Sequence, residues 1–178
     1  MIVDAAGRVD AARYLASPNC DERPPGESIS LLVIHNISLP PGEFGGDGIE
    51  RLFTNELDCA AHPFYQTLAG MRLSAHFLIR RSGELLQFVP GGMRAWHAGA
   101  SSWCGRSRCN DFSIGIELEG TDDLPYVQSQ YRVLTQLARA LRSAYPIAGI
   151  VGHCDISPGR KTDPGASFDW ARFRGSIE

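Results

Sequence analysis

Short apolar runs alternate along the chain with segments rich in glycine and proline, and the spacing inside each run predicts its structure. Ser28 to His35 (SISLLVIH) is almost continuously apolar after a Pro-Pro-Gly break, the pattern of a strand covered on both faces, with His35 at its exit. The stretch PPGEFGGDG that follows is too rich in glycine and proline for regular structure and is expected to be a mobile loop, a candidate lid. A short helix then presents Ile49, Leu52, Phe53 and Leu57 on one face. SAHFLIRRSGELLQFVP has the form of a hairpin, Ala75 to Arg80 and Glu84 to Val89 about a Ser82-Gly83 turn. In DFSIGIELEG, Phe112, Ile114, Ile116 and Leu118 alternate with Ser113, Gly115, Glu117 and Glu119, which predicts a strand with one core face and one face of carboxylates.

The clearest helical pattern begins at Val127, where Val127, Tyr131, Leu134, Ala138, Leu141 and Tyr145 step by four and three until Pro146 ends the run. A last strand, Gly149 to Gly152, delivers His153 into the loop CDISPGRKTDPG. Ser167 is then expected to cap a terminal helix with Asp169 in its first turn. No repeat, low-complexity tract or linker separates two cores, so residues 1–178 are expected to form a single domain of α/β class with a mixed sheet.

Composition narrows the function classes. A domain of 178 residues can bury roughly 70% of the surface of its unfolded chain, enough for a core without disulfides. Hydrophobic residues make up 43% and charged residues 21%, and no apolar run approaches the ~20 residues needed to span a bilayer. A net charge of -3 offers no general attraction to nucleic acid or to an anionic membrane, so a small-molecule partner is expected; the chain is also expected to be a monomer. The opening MIVDAAGRVDAARYLASPN has early acidic residues and no basic leader, which favours the cytoplasm. Five cysteines, odd in number and without a C-x-x-C pair, suit free thiols.

His35 and His153 each follow an apolar strand, where side chains leave the packed sheet and enter the crevice in which ligands of open α/β sheets collect. Pro158, Gly159 and Pro164 can fold the chain back so that Asp163 approaches His153. Two histidines and a carboxylate, with a fourth position left to water, have the composition of a catalytic zinc site. Spacing alone does not choose among the five histidines: His62 before Pro63 reads as a loop residue, and His76 between Ala75 and Phe77 as a hydrogen-bonded core histidine. Glu117 has a bland reading as a solvated strand carboxylate and Lys161 as a solvated loop lysine. Two other metal arrangements stay open, Cys154 in place of Asp163 and a separate site at Cys104 and Cys109.

The blocks HNISLPPGEFGG, RAWHAG, RCNDFSIGIELEGTD, GHCDISPGRKTDPG and SFDWARFR resemble the AmpD type of N-acetylmuramoyl-L-alanine amidase, a family similar in fold to peptidoglycan-recognition proteins and phage amidases. The resemblance runs from about Tyr14 to Phe173 and implies a central mixed β-sheet flanked by helices. It implies one Zn2+ ion held by His35, His153 and Asp163, with Glu117 and Lys161 catalytic. It also implies substrate contacts by Asn36, Trp96, Arg72 and Arg108, and leaves the role of His97 open. The implied reaction is hydrolysis of the amide between the lactyl group of (1,6-anhydro-)N-acetylmuramic acid and L-alanine in cytoplasmic muropeptides during cell-wall recycling. Two other functions compete with it: a module that binds such fragments without cutting them, and a zinc deacetylase acting on the sugar.

Overall fold

The apolar runs assemble into a six-stranded mixed sheet in the computed structural model, which describes residues 1–177. In chain order the elements are β1 (Arg13–Tyr14), β2 (Cys20–Glu22), β3 (Leu31–Ile37), α1 (Gly48–Thr54), α2 (Pro63–Gln66), β4 (Phe77–Ile79) and β5 (Leu85–Gln87). They continue with β6 (Met93–Ala95), β7 (Ser102–Trp103), β8 (Arg106–Ser107), β9 (Ser113–Glu119), α3 (Gln128–Ala144), β10 (Gly149–Gly152), α4 (His153–Ile156) and α5 (Trp170–Ile177). The strand order is β1-β5-β4-β9-β3-β10, parallel throughout except for the β4–β5 hairpin, while β2 with β6 and β7 with β8 make small two-stranded ribbons. This is the expected α/β mixed sheet with flanking helices.

One face of the sheet is covered by α3. Leu32, Ile34, Phe77, Ile79, Ile114, Ile116 and Leu118 meet Leu134, Leu137, Ala138 and Leu141, with Phe173 of α5 closing the cluster. Each buried leucine there stabilises the fold by about 1.5–3 kcal/mol relative to exposure. Gln130 fastens the start of the helix to the sheet: its Oε1 accepts the Val127 N–H, and its Nε2 donates to the carbonyls of Ile79 and Glu119. The opposite face holds two smaller cores. Leu78, Leu86 and Phe88 pack with Ile49, Leu52 and Phe53 of α1, and Leu31, Val33 and Phe112 pack with Ala98 and Ile156.

Several local expectations change. The strand carrying His35 continues to Ile37, so His35 lies inside it rather than at its exit. β9 is buried along both faces because it is central, and the alternation of Ser113, Glu117 and Glu119 marks internal polar contacts instead of a solvated side. Glu119, for example, takes Arg80 at 3.0 Å and the backbone N–H groups of Gly45 and Arg81. Asp169, not Ser167, caps α5: Asp169 Oδ1 accepts the Arg172 N–H at 2.9 Å, while the Ser167 hydroxyl donates to the Thr121 carbonyl. The hairpin strands are shorter than the apolar runs that predicted them, and α1 stops at Thr54, where Asn55 turns left-handed before Leu57. All five cysteines are free thiols. Among the described residues no helix is long and apolar enough to cross a membrane.

Candidate metal centre and active site

Strand register builds the site. Leu78, Glu117 and His35 are direct neighbours across β4, β9 and β3, and therefore share one face of the sheet. β10 extends the row, because Gly152 pairs with Ile34 and the next residue, His153, arrives beside His35 as the first residue of α4. The row thus passes from apolar to polar at Glu117, between the two smaller cores.

The loop after α4 returns the third member. The Cys154 N–H donates to the Asp163 carbonyl at 3.0 Å, and Tyr126 Oη donates to the Pro164 carbonyl at 2.7 Å. Gly152 permits this close return, since a Cβ there would lie 2.8 Å from Pro164 Cδ. His35 Nδ1, His153 Nδ1 and Asp163 Oδ2 consequently form a triangle with edges of 3.0, 3.0 and 3.1 Å. Among the described residues this is the one group of three side chains able to hold a metal ion. Cys154 contributes no atom to it, and Cys104 is exposed while Cys109 is buried in an apolar core, so neither cysteine alternative forms a cluster.

The donor set fits a metal cation. His153 Nε2 faces the Ala98 carbonyl at 3.1 Å, which can only accept, so Nε2 carries a proton and Nδ1 is the nitrogen available to a metal. Ring nitrogen against ring nitrogen at 3.0 Å beside a carboxylate is an arrangement that a shared cation stabilises. Burial pushes the His35 imidazole below its ordinary pKa, against the pull of Asp163, and so favours the neutral ligand form. Burial alone would raise the Asp163 carboxyl, but its close contacts with His153 and His35 overcome that and hold Asp163 well below the usual carboxylate range.

Glu117 is different. Its buried Oε2 has no hydrogen-bond partner, and burial followed by the nearby Asp163 charge raises its pKa well above the ordinary value, with Lys161 opposing. A carboxyl whose proton affinity is raised in this way is suited to taking up and passing on a proton. It opens, with His35, His153, Asp163 and Lys161, into a cavity of about 350 Å³. Leu39, Leu52, Phe64, Leu68 and Leu73 form the cavity's apolar wall.

The remaining candidates divide. Asn36 and Trp96 line the cavity, Asn36 donating to Asp122 Oδ1 at 2.7 Å and the Trp96 indole N–H to Asp21 Oδ1 at 3.2 Å. Arg72 and Arg108 do not line it: Arg72 is exposed against the Met71 carbonyl, and Arg108, left-handed at φ 61°, pairs with Asp111 at 3.1 Å. His76 is the satisfied core histidine expected, held near pKa 3 by burial and by Arg23, with Nδ1 accepting the Gly115 N–H. His62 caps α2 through its ring. The Gly-rich loop is anchored by Gly45 on Glu119 and by Phe44 under Arg81, while its Pro41 and Gly42 lie beside Asn36, Lys161 and Asp163. Sequence reasoning missed the apolar wall, which carries no motif, and left His97 without a role although RAWHAG contains it; its Nδ1 lies 2.9 Å from His35 Nε2.

Comparison with known proteins identifies the chain's relatives. The family model for N-acetylmuramoyl-L-alanine amidase matches residues 25–166. The 1,6-anhydro-N-acetylmuramyl-L-alanine amidase AmpD of Escherichia coli is 59% identical over 170 residues, covering 94% of this chain and 93% of that protein. A crystal structure of an AmpD selenomethionine derivative superposes with a TM-score of 0.97 at 58% identity, covering 100% of both chains. The E. coli amidase AmiD, solved with the substrate anhydro-N-acetylmuramic acid-L-Ala-D-gamma-Glu-L-Lys, superposes with a TM-score of 0.62 at 29% identity over 98% of this chain and 65% of that one.

Proposed function

Since the chain belongs to the N-acetylmuramoyl-L-alanine amidase family, in its AmpD-type branch, we propose that it is a zinc-dependent enzyme acting on 1,6-anhydro-muropeptides. It hydrolyses the amide between the lactyl group of (1,6-anhydro-)N-acetylmuramic acid and L-alanine, as a single monomeric zinc amidase domain in the cytoplasm, where such fragments are recycled. The observation that carries this reading is the convergence of two imidazole nitrogens and a carboxylate with the unpartnered Oε2 of Glu117 in one cavity.

His35, His153 and Asp163 would hold one Zn2+ ion, whose chemistry when bound is to polarise the scissile carbonyl and acidify water. Glu117 Oε2 takes a proton from the attacking water as its oxygen adds to the carbonyl carbon, then returns that proton to the alanine nitrogen as the C–N bond breaks. The products are a lactyl carboxylate and a free peptide amine. Lys161, on the cavity rim, donates to the oxygen on which negative charge develops. The apolar wall excludes water and Trp96 offers a flat face for the substrate, while Asn36 supplies hydrogen bonds beside the metal. Arg72 and Arg108 meet the stem peptide's carboxylates outside the cavity.

Incubation with an anhydromuropeptide followed by mass spectrometry tests the reaction. The expected products are free peptide and anhydro-sugar, abolished by a chelator. Acetate release would make the protein a deacetylase, and unchanged bound ligand would make it a recognition module.

A further inference from the structure

An imidazole that offers Nδ1 to the metal cluster must carry its single proton on Nε2. For His153 the Ala98 carbonyl enforces this. His35 has no such partner: its Nε2 faces Nδ1 of His97 at 2.9 Å, and a ring nitrogen either donates or accepts. His97 Nε2 in turn faces Ser113 Oγ at 3.1 Å. The ring of His97 is tightly confined. It lies against the backbone of β9, where a Cβ on Gly115 would be 2.4 Å from its Cγ, and the edges of His35 and His76 stand at centroid distances of 5.0 and 5.7 Å. Asn110 Oδ1 fixes the segment beneath it by accepting the N–H groups of His97 and Ala98 at 3.1 and 2.8 Å.

We propose that His97, backed by Ser113, is a positioning residue that accepts the Nε2–H of His35 on its own Nδ1 and so leaves His35 Nδ1 free to ligate the metal, an inference that rests on the zinc reading above. The chain runs from His35 Nε2–H to His97 Nδ1 and from His97 Nε2–H to Ser113 Oγ, which engages both nitrogens of the ring. The opposite direction would place a proton on His35 Nδ1, in the space shared with His153 Nδ1 and Asp163 Oδ2, and a cation would have to displace it. Two ligands of one site are thus oriented by different means, a backbone carbonyl for His153 and a side-chain relay for His35. Outer partners of ligating histidines commonly influence metal affinity by about 10- to 100-fold.

The test uses the 178-residue chain, with zinc affinity measured by competition against a chromophoric chelator and ring nitrogens observed by proton–nitrogen NMR. In the zinc-loaded protein His35 and His97 should both be protonated at Nε2. His97→Leu should weaken zinc binding by about 10- to 100-fold. His97→Asn, whose Oδ1 stands near the place of Nδ1 and accepts the same proton, should recover most of the loss, and Ser113→Ala should show a smaller one. Protonation of His97 at Nδ1 in the loaded wild type overturns the proposal even if His97→Leu does not fold. So does wild-type zinc affinity in a folded His97→Leu, or failure of His97→Asn to restore it. A wild-type chain that binds no zinc removes this inference and the zinc reading together; zinc binding indifferent to His97 removes this inference alone.

Discussion

The two faces of the central sheet are built to different rules. Under α3 the strands offer Leu32, Ile34, Ile114 and Ile116 to a helix that answers with leucines and alanine, and burial of apolar area accounts for the contact. On the other face, the row Leu78, Glu117, His35 and then His153 interrupts the packing, and the apolar residues split into two smaller clusters around it. Buried polar groups cost stability unless they are paired, so a row of them persists where the chemistry requires it. Stability and function are therefore separated across a single layer of strands, and substitutions on the two faces should have different consequences.

The largest effect is expected at Glu117. Glu117→Gln keeps the shape and removes the proton carrier, so steady-state kinetics should show kcat reduced by about 100- to 10,000-fold with zinc content unchanged. Loss of zinc in that variant would move Glu117 into the ligand set. Leu134→Ala on the opposite face should lower unfolding free energy by about 2–5 kcal/mol in urea titrations, yet leave the turnover of folded molecules intact. A turnover defect without a stability defect would break the separation of the faces. Lys161→Ala should depress kcat by about 100- to 1,000-fold with little change in KM; a change confined to KM would make Lys161 a binding residue. The smallest effect belongs to Asp169→Ala, which removes the α5 cap and should cost about 1 kcal/mol in the same urea titration, with no kinetic change.

How much of this was legible in the sequence differs by face as well. α3 was visible in its four-and-three spacing, and β10 in its boundaries, because local periodicity reports a helix or strand that meets one apolar layer. β9 was visible as a strand, but its burial was not: serine, glycine and glutamate on alternate positions look solvated until neighbouring strands close over them. The ribbon strands β2, β6, β7 and β8 have two or three residues, too few for any period to show. The candidate metal-binding trio is nominated from strand ends and a loop. What singles out His35 from five histidines is the register that sets it beside Glu117, a pairing between residues 82 positions apart that no local pattern encodes. The cap of α5 lies two residues beyond the expected one for a related reason: Ser167 and Asp169 are both good cap residues, and the Ser167 hydroxyl is drawn away to Thr121.

The most direct test of the central claim is a joint measurement of bound zinc and amidase turnover in the wild type and in Asp163→Ala. The account predicts one zinc per wild-type chain, and loss of zinc and of anhydromuropeptide cleavage together in the variant. Full zinc occupancy in Asp163→Ala, or undiminished cleavage by a wild-type chain stripped of metal, would contradict it.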